Sequence, residues 1–299
     1  MQKITPFLWF DHQAEEAVNF YVSLFPNSKT TDIQRYNEES SKASGQPAGS
    51  VNWCSFELSG QKFGALNGGD YYKITPATSF FVSCDSEEEI DTLWSKFSEG
   101  AQIMMPFQEY PFSKKFGWLA DKFGVSWQLN LDPRKQKITP CLMFVGDQHG
   151  KAEEAMKLYT SIFKNANIDM IARYEAGEMD PAVGTIKHSE FTLDGYSMMA
   201  MDSSMPHAFK FTGGISFLVN CETQDEVDEF CSKLIEGGGE QQQCGWLTDK
   251  FGVVWQIVPT ILSKLLGDPD PVKAQRVMRA MLEMYKLNIA ELQKAYDGE

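Results

Sequence analysis

The chain has few of the features that usually announce a function. Its 299 residues include only four histidines, and none of the six cysteines (Cys54, Cys84, Cys141, Cys221, Cys231 and Cys244) forms a CxxC pair. Spaced zinc motifs and redox-active dithiols are therefore not expected. Most of the cysteines sit in apolar runs and read as reduced core residues. Cys244, in QQQCGW, is the one expected near a surface or pocket. Basic residues are scarce, 27 against 41 acidic ones, and the formal net charge of −14 argues against nucleic acid or an anionic membrane as partner. The same balance favours a neutral or cationic small ligand. No apolar run approaches the roughly 20 residues of a membrane span. The opening MQKITPFLWFDHQAEEA becomes charged too early for a signal peptide, so a cytoplasmic protein is expected. No G-x-G-x-G follows the first strand, and no acidic residue is placed to hold an adenosine ribose. Methyl transfer is accordingly not expected.

What the chain does have is repetition. Residues 4–36, ITPFLWF…AEEAVNFYVSLFPN…RY, return at 138–174 as ITPCLMF…KAEEAMKLYTSIFKN…RY. The match continues through GSVNWCSFELSGQKFGALN and GTIKHSEFTLDGYSMMAMD to GWLADKFGVSWQ and GWLTDKFGVVWQ. Two domains follow, over residues 1–133 and 136–262, with a helical tail over 268–299. In the tail, Val277, Met281, Met284 and Ile289 form an apolar stripe. Each copy splits into two β-α-β-β-β modules, giving an α+β fold with a curved mixed sheet, helices outside and a cleft inside. Asp85-SEE and Glu222-TQD place acidic and hydroxyl groups at helix starts, where free N–H groups prefer them. Copy one carries nine extra residues around PFQEYPFSKKF, read as a divergent loop.

Strand alternation sorts the cleft lining from the core. In copy one, Phe7 and Trp9, Trp53, Ser55 and Glu57, Ser79 and Phe81, and Gln128 face inward. In copy two the inward set is Thr139, His188, Glu190, Met201, Ser216 and Gln256, with His207 on a loop near the cleft. His12 and His149 read as exposed loop residues. An aromatic and polar concavity of this kind suits a flat or moderately apolar small molecule. Glu190, as a general base beside His188, is the candidate catalytic pair.

The segments PFLWFDHQAEEAVNFYVSLFPNS, FELSGQKFGALNGG, CGWLTDKFGVVWQIVP and the closing VMRAMLEMYKLNIAELQKAYDG together resemble the PhnB-like group of the glyoxalase, bleomycin-resistance and dioxygenase (vicinal oxygen chelate) superfamily, in a tandem two-domain form. Members of that group often carry the label 3-demethylubiquinone-9 3-methyltransferase. Enzymes of the superfamily resemble one another in holding a divalent ion with His, Gln and Glu side chains. The resemblance places those positions at Thr5, Ser55, Ser79 and Gln128 in copy one, and at Thr139, Glu190, Ser216 and Gln256 in copy two. Only Glu190 is a strong ligand, so neither a metal nor another cofactor is expected. The resulting expectation is a metal-independent binder of a small, partly aromatic or apolar molecule. The alternatives are a Glu190/His188-dependent or metal-assisted lyase, isomerase or dioxygenase-like enzyme centred on domain 2, and a structural or regulatory homo-oligomer. A homodimer through sheet edges or the C-terminal helix stays open.

Overall fold

A computed structural model describes residues 2–178 and 183–299. The chain forms two compact units: Pro6–Ile215, and the N-terminal residues up to Thr5 together with Ser216–Glu299. Four modules follow one another. The first holds β1 (Ile4–Phe10), α1 (Ala14–Leu24), β2 (Lys29–Arg35), a short α2 (Glu38–Ser44), β3 (Val51–Leu58) and β4 (Gln61–Asn67). The second holds β5 (Thr78–Cys84), α3 (Glu87–Phe97), β6 (Gln102–Tyr110), β7 (Ser113–Ala120) and β8 (Ser126–Leu131). The third holds β9 (Ile138–Phe144), α4 (Ala152–Ile162), β10 (Asn167–Arg173), β11 (Ile186–Leu193) and β12 (Tyr196–Asp202). The fourth holds β13 (Ile215–Cys221), α5 (Gln224–Ile235), β14 (Glu240–Gln241), β15 (Trp246–Thr248) and β16 (Val254–Pro259), before α6 (Ile261–Leu266), α7 (Pro271–Glu283) and α8 (Ile289–Asp297).

In the larger unit, the second module of copy one joins the first module of copy two. They form one eight-stranded sheet in the order β10-β11-β12-β9-β5-β8-β7-β6. The seam is the antiparallel pair β5 and β9, with Phe81 opposite Thr139 and Ser79 opposite Cys141. The repeat alone left open which modules share a sheet, and the structure pairs them across the copies.

The helices cover one face. Cys54, Phe56 and Leu58 of β3, Phe80, Val82 and Cys84 of β5, and Trp127 and Leu129 of β8 are buried together with Ala17, Tyr21, Ile90, Leu93 and Phe97. Ser86 caps α3 by accepting from the Glu89 N–H, and Thr223 does the same for α5 through the Glu226 N–H. Helix α1 has no such cap of its own. Its first N–H, at Ala14, donates instead to the Asn67 side chain at the end of β4. In copy two the matching residue is Asp202, which accepts from Gly150, Ala152 and Ile186 N–H groups.

The repeated DKFGVxW segment is a turn built around its aspartate. One oxygen of Asp121 accepts from the Phe123 and Val125 N–H groups, and the other from the Trp127 indole and the Tyr21 hydroxyl. Helix α1 is thereby fastened to the β7–β8 turn. Asp249 repeats the arrangement with Phe251, Val253 and Trp255.

The extra residues of copy one are not a loop. They lengthen β6 and β7 into a hairpin whose pairing shifts register three times. In the fourth module the same place is taken by the two-residue β14. The tail packs on its own unit: Val277, Met281 and Met284 join Leu262, Leu265, Leu287 and Leu292. The Cys244 and Gly245 N–H groups donate to the Met284 and Tyr285 carbonyls, both at 2.7 Å.

Candidate functional site

Register places the inward residues of the eight-stranded sheet side by side. Glu190 of β11 lies opposite Met199 of β12, Met199 opposite Cys141 of β9, and Cys141 opposite Ser79 of β5. In the neighbouring row, Thr139 lies opposite Phe81, Phe81 opposite Gln128, and Gln128 opposite Trp118 of β7. Cross-strand partners share a face, so these side chains project to the side away from the helices. Phe81, Phe116, Trp118, Cys141, Met143 and Met199 bury one another there, joined by Met104, Met105, Met201 and Phe209. The face is concave: the Phe81 ring lies 6.4 Å from the His188 ring although two strands separate β5 from β11.

A cleft of about 260 Å³ remains, lined by Arg134, Lys135, Gln136, Thr139, Asp169, Glu190, Phe191, Ser197, Met198 and Met199. Its charged centre is Arg134, from the segment that joins the two copies. Arg134 Nη1 is 2.5 Å from Glu190 Oε1 and its Nε is 2.9 Å from Asp132 Oδ2. The guanidinium lies 5.7 Å from the centre of the Phe81 ring, within cation–π range. Burial works against the Arg134 charge, but the bonds and negative charge of Glu190 and Asp132 outweigh it and raise its pKa. Gln136 anchors the same segment by exchanging two hydrogen bonds with the Ser197 backbone, at 2.8 and 3.0 Å. His188 Nε2 stands 3.6 Å from Glu190 Oε1. Burial pushes its pKa below the ordinary 6.5, and Glu190 opposes that only in part.

Other inward groups are already engaged. The Gln128 side chain donates to Ser79 Oγ at 2.8 Å, and both are buried. The Trp118 indole donates to Ser126 Oγ at 2.7 Å. Burial pushes the Cys141 thiol up to about 12, too high for a nucleophile at neutral pH. Two groups differ: the Ser83 hydroxyl and Asn130 Oδ1, on strand neighbours opposite each other, are buried without a hydrogen-bond partner.

The remaining sequence candidates fall elsewhere. Ser216 and Gln256 belong to the smaller unit, where Gln256 donates to Ser216 Oγ at 2.9 Å. The expectation that copy two's inner line runs from His188 and Glu190 to those residues is corrected: His188 and Glu190 share their sheet with Ser79, Phe81 and Gln128 of copy one. In the first module, Phe7 and Ser55 lie opposite Gly64 from either side, and Trp53 lies opposite Leu66. Trp9 donates its indole N–H to the Gly69 carbonyl and meets Tyr72 edge-on at 5.1 Å. Glu57 pairs with Lys29 at 3.5 Å. His207 Nε2 is 3.0 Å from Ser203 Oγ, and its ring lies 4.8 Å from Phe209, which joins the methionine cluster with Met201. His12 is exposed, as expected. His149 is not: it is half-buried, and its Nε2 is shut away from solvent without a hydrogen-bond partner. It lies close enough to Asp202 for its charge to oppose the rise that burial imposes on that carboxyl.

Sequence reasoning missed Arg134, Asp132 and Gln136, because DPRKQK between two copies reads as a boundary. The signal was an arginine flanked by charge within a joint too short to be a free linker.

The positions that the resemblance assigns to metal ligands bring Ser79, Gln128, Thr139 and Glu190 to this sheet. One carboxylate, itself bound to a guanidinium, with two hydroxyls and an amide does not fit a divalent-ion site. Among the described residues, no group of three or more His, Cys, Asp or Glu converges as metal ligands would, and no helix is long and apolar enough to cross a membrane.

The family model described as 3-demethylubiquinone-9 3-methyltransferase matches the chain twice, over residues 2–130 and 136–258. No curated protein matches it. Among solved structures, a putative 3-demethylubiquinone-9 3-methyltransferase, PhnB protein, from Bacillus cereus is 48% identical over 44% of this chain and 99% of its own, with a TM-score of 0.41. Glyoxalase I from Zea mays is 9% identical, over 84% of this chain and 89% of its own, at a TM-score of 0.54. A putative dioxygenase from Bacillus subtilis is 9% identical, over 97% and 94%, at 0.50. The last two are likenesses of fold alone.

Proposed function

We propose that this chain, which belongs to the 3-demethylubiquinone-9 3-methyltransferase family in its PhnB-like form, is a metal-independent binding protein for a small, partly aromatic or apolar molecule. The observation that carries this reading is the inner face of the eight-stranded sheet. There a bed of aromatic and methionine side chains meets, at Met199, a cleft of about 260 Å³ lined mostly by charged and polar residues. Apolar contact from the bed and a few hydrogen bonds from the cleft suit such a molecule. Methionines let the bed adapt to its ligand. Glu190, whose Oε1 accepts from Arg134, forms the ionic wall of the cleft.

The test is native mass spectrometry with elemental analysis on protein purified without chelator, beside a His188→Ala/Glu190→Ala variant. The expected result is an organic mass bound to the wild type and reduced in the variant, with no metal. Near-stoichiometric divalent metal, lost in the variant, would overturn the reading in favour of a metalloenzyme.

A further inference from the structure

Arg134 occupies its place as a ligand would. Its guanidinium rests against the face of Phe81 and is held by the carboxylates of Glu190 and Asp132. An aromatic face bounded by carboxylates is the usual chemistry for recognising an organic cation. Nothing in the fold requires an arginine there for packing: the side chain is about 28% exposed, and it reaches the cleft from a joint that Gln136 already pins to β12. One step along the strands from Phe81 and Gln128, the Ser83 hydroxyl and the Asn130 Oδ1 acceptor are buried without a hydrogen-bond partner. His188, neutral once its pKa is depressed, adds no competing positive charge at neutral pH.

We propose that the cleft is a site for a small organic cation, an amidinium, guanidinium or ammonium on a flat or apolar body, and that Arg134 is an internal stand-in which the ligand displaces from Phe81 and Glu190. The proposal rests on the binding reading above and narrows it to a ligand class. The charges around the seat favour the same sign. Glu190, Asp132 and Asp169 stand against Arg134 and Lys135, so removing Arg134 from the seat leaves an excess of negative charge beside an aromatic face. The chain's net charge of −14 draws cations toward it as well. The arginine sets a threshold: a ligand binds only to the fraction of molecules whose guanidinium is unseated, and its apparent affinity falls by that fraction.

The experiment is calorimetric titration of three probes of similar shape, benzamidine, benzoate and benzyl alcohol, into wild type, Arg134→Gln and Glu190→Gln. Benzamidine is expected to bind the wild type weakly, to bind Arg134→Gln about tenfold more tightly, and to lose its binding in Glu190→Gln. Benzoate is expected to bind none of the three. Benzoate binding that depends on Arg134 would overturn the proposal by making the arginine an anion receptor. So would benzamidine binding that is unchanged or weaker in Arg134→Gln. Benzyl alcohol binding as well as benzamidine does would also sink the cation rule, while leaving the apolar cleft standing. Failure of every probe on every protein would overturn the cation proposal, while the binding reading stands or falls on the native mass spectrum.

Discussion

At the same register position, the first and third modules fill their inner faces in opposite ways. In the first, Phe7 on β1 faces Gly64 on β4, and a Cβ on Gly64 would fall inside the Phe7 ring. In the third, Cys141 on β9 faces Met199 on β12. Each pair has one large and one small member, but the large one has changed strands. The next residue across the sheet changes too: Gly64 faces Ser55, whereas Met199 faces Glu190. Trp53 and His188 complete the contrast. One module lays rigid rings over glycine and sets a neutral serine beside it. The other surrounds an ionisable pair with flexible thioethers. Duplication has kept the volume and altered its character, and character decides what a face can bind.

The largest effect comes from breaking the size pairing. Gly64→Met alone drives a side chain into Phe7 and should cost about 3 kcal/mol. Phe7→Cys alone strips a half-buried ring and should cost less, about 1–2 kcal/mol. Together they rebuild the pair found in the third module, so the double variant should be markedly more stable than the sum of the single losses. Denaturant midpoints of the four proteins give the coupling. Strict additivity would show that the two positions do not trade volume.

A smaller effect tests what the second and fourth modules have in common. Gln128 donates to Ser79 and Gln256 to Ser216, at 2.8 and 2.9 Å, all four buried. Ser79→Ala strands a buried amide donor and should cost about 1–2 kcal/mol. Adding Gln128→Met removes the stranded group and should recover most of that loss. Ser216→Ala should behave alike. A thermal unfolding shift confined to one module would show that the clasps have diverged, as the Phe7 and Cys141 positions have.

Alternation and helical spacing were enough to place the four modules, because each buries one face of its central strands under an amphipathic helix. The hairpin of residues 102–120 escaped notice. Pro106 and Pro111 interrupt the strand pattern, and its register slips leave no clean period. The partnership of modules two and three was illegible for a different reason: all four modules carry the same edge pattern, and only tertiary contacts choose between them. Strand phase brought His188 and Glu190 onto one face. It joined them to Ser216 and Gln256 only on the assumption that a copy closes on itself. Arg134 lay outside any periodic element, and a joint between repeats offers no phase by which its direction could be read. The DKFGV segments were visible as a motif. That their aspartates hold a turn and an indole emerges only from the hydrogen bonds.

The smallest effect falls on the residue that most separates the third module from the first, His188 where the first has Trp53. Burial holds the folded His188 pKa below 6.5, so the unfolded chain takes up this proton first as pH falls. Between the ordinary and the depressed value the unfolded state binds more protons, and stability therefore rises with pH across that window. The contribution is complete above 6.5 and is lost as the solution is acidified. His188→Asn should flatten this part of the stability curve on the acid side of 6.5. Glu190→Gln should steepen it, since the carboxylate that partly offsets burial is gone while Arg134 remains. Melting temperatures of the three proteins across that range decide the matter. If Glu190→Gln flattened the slope instead, the carboxylate rather than burial would govern the imidazole, and the neutral His188 assumed beside the cation seat would not hold.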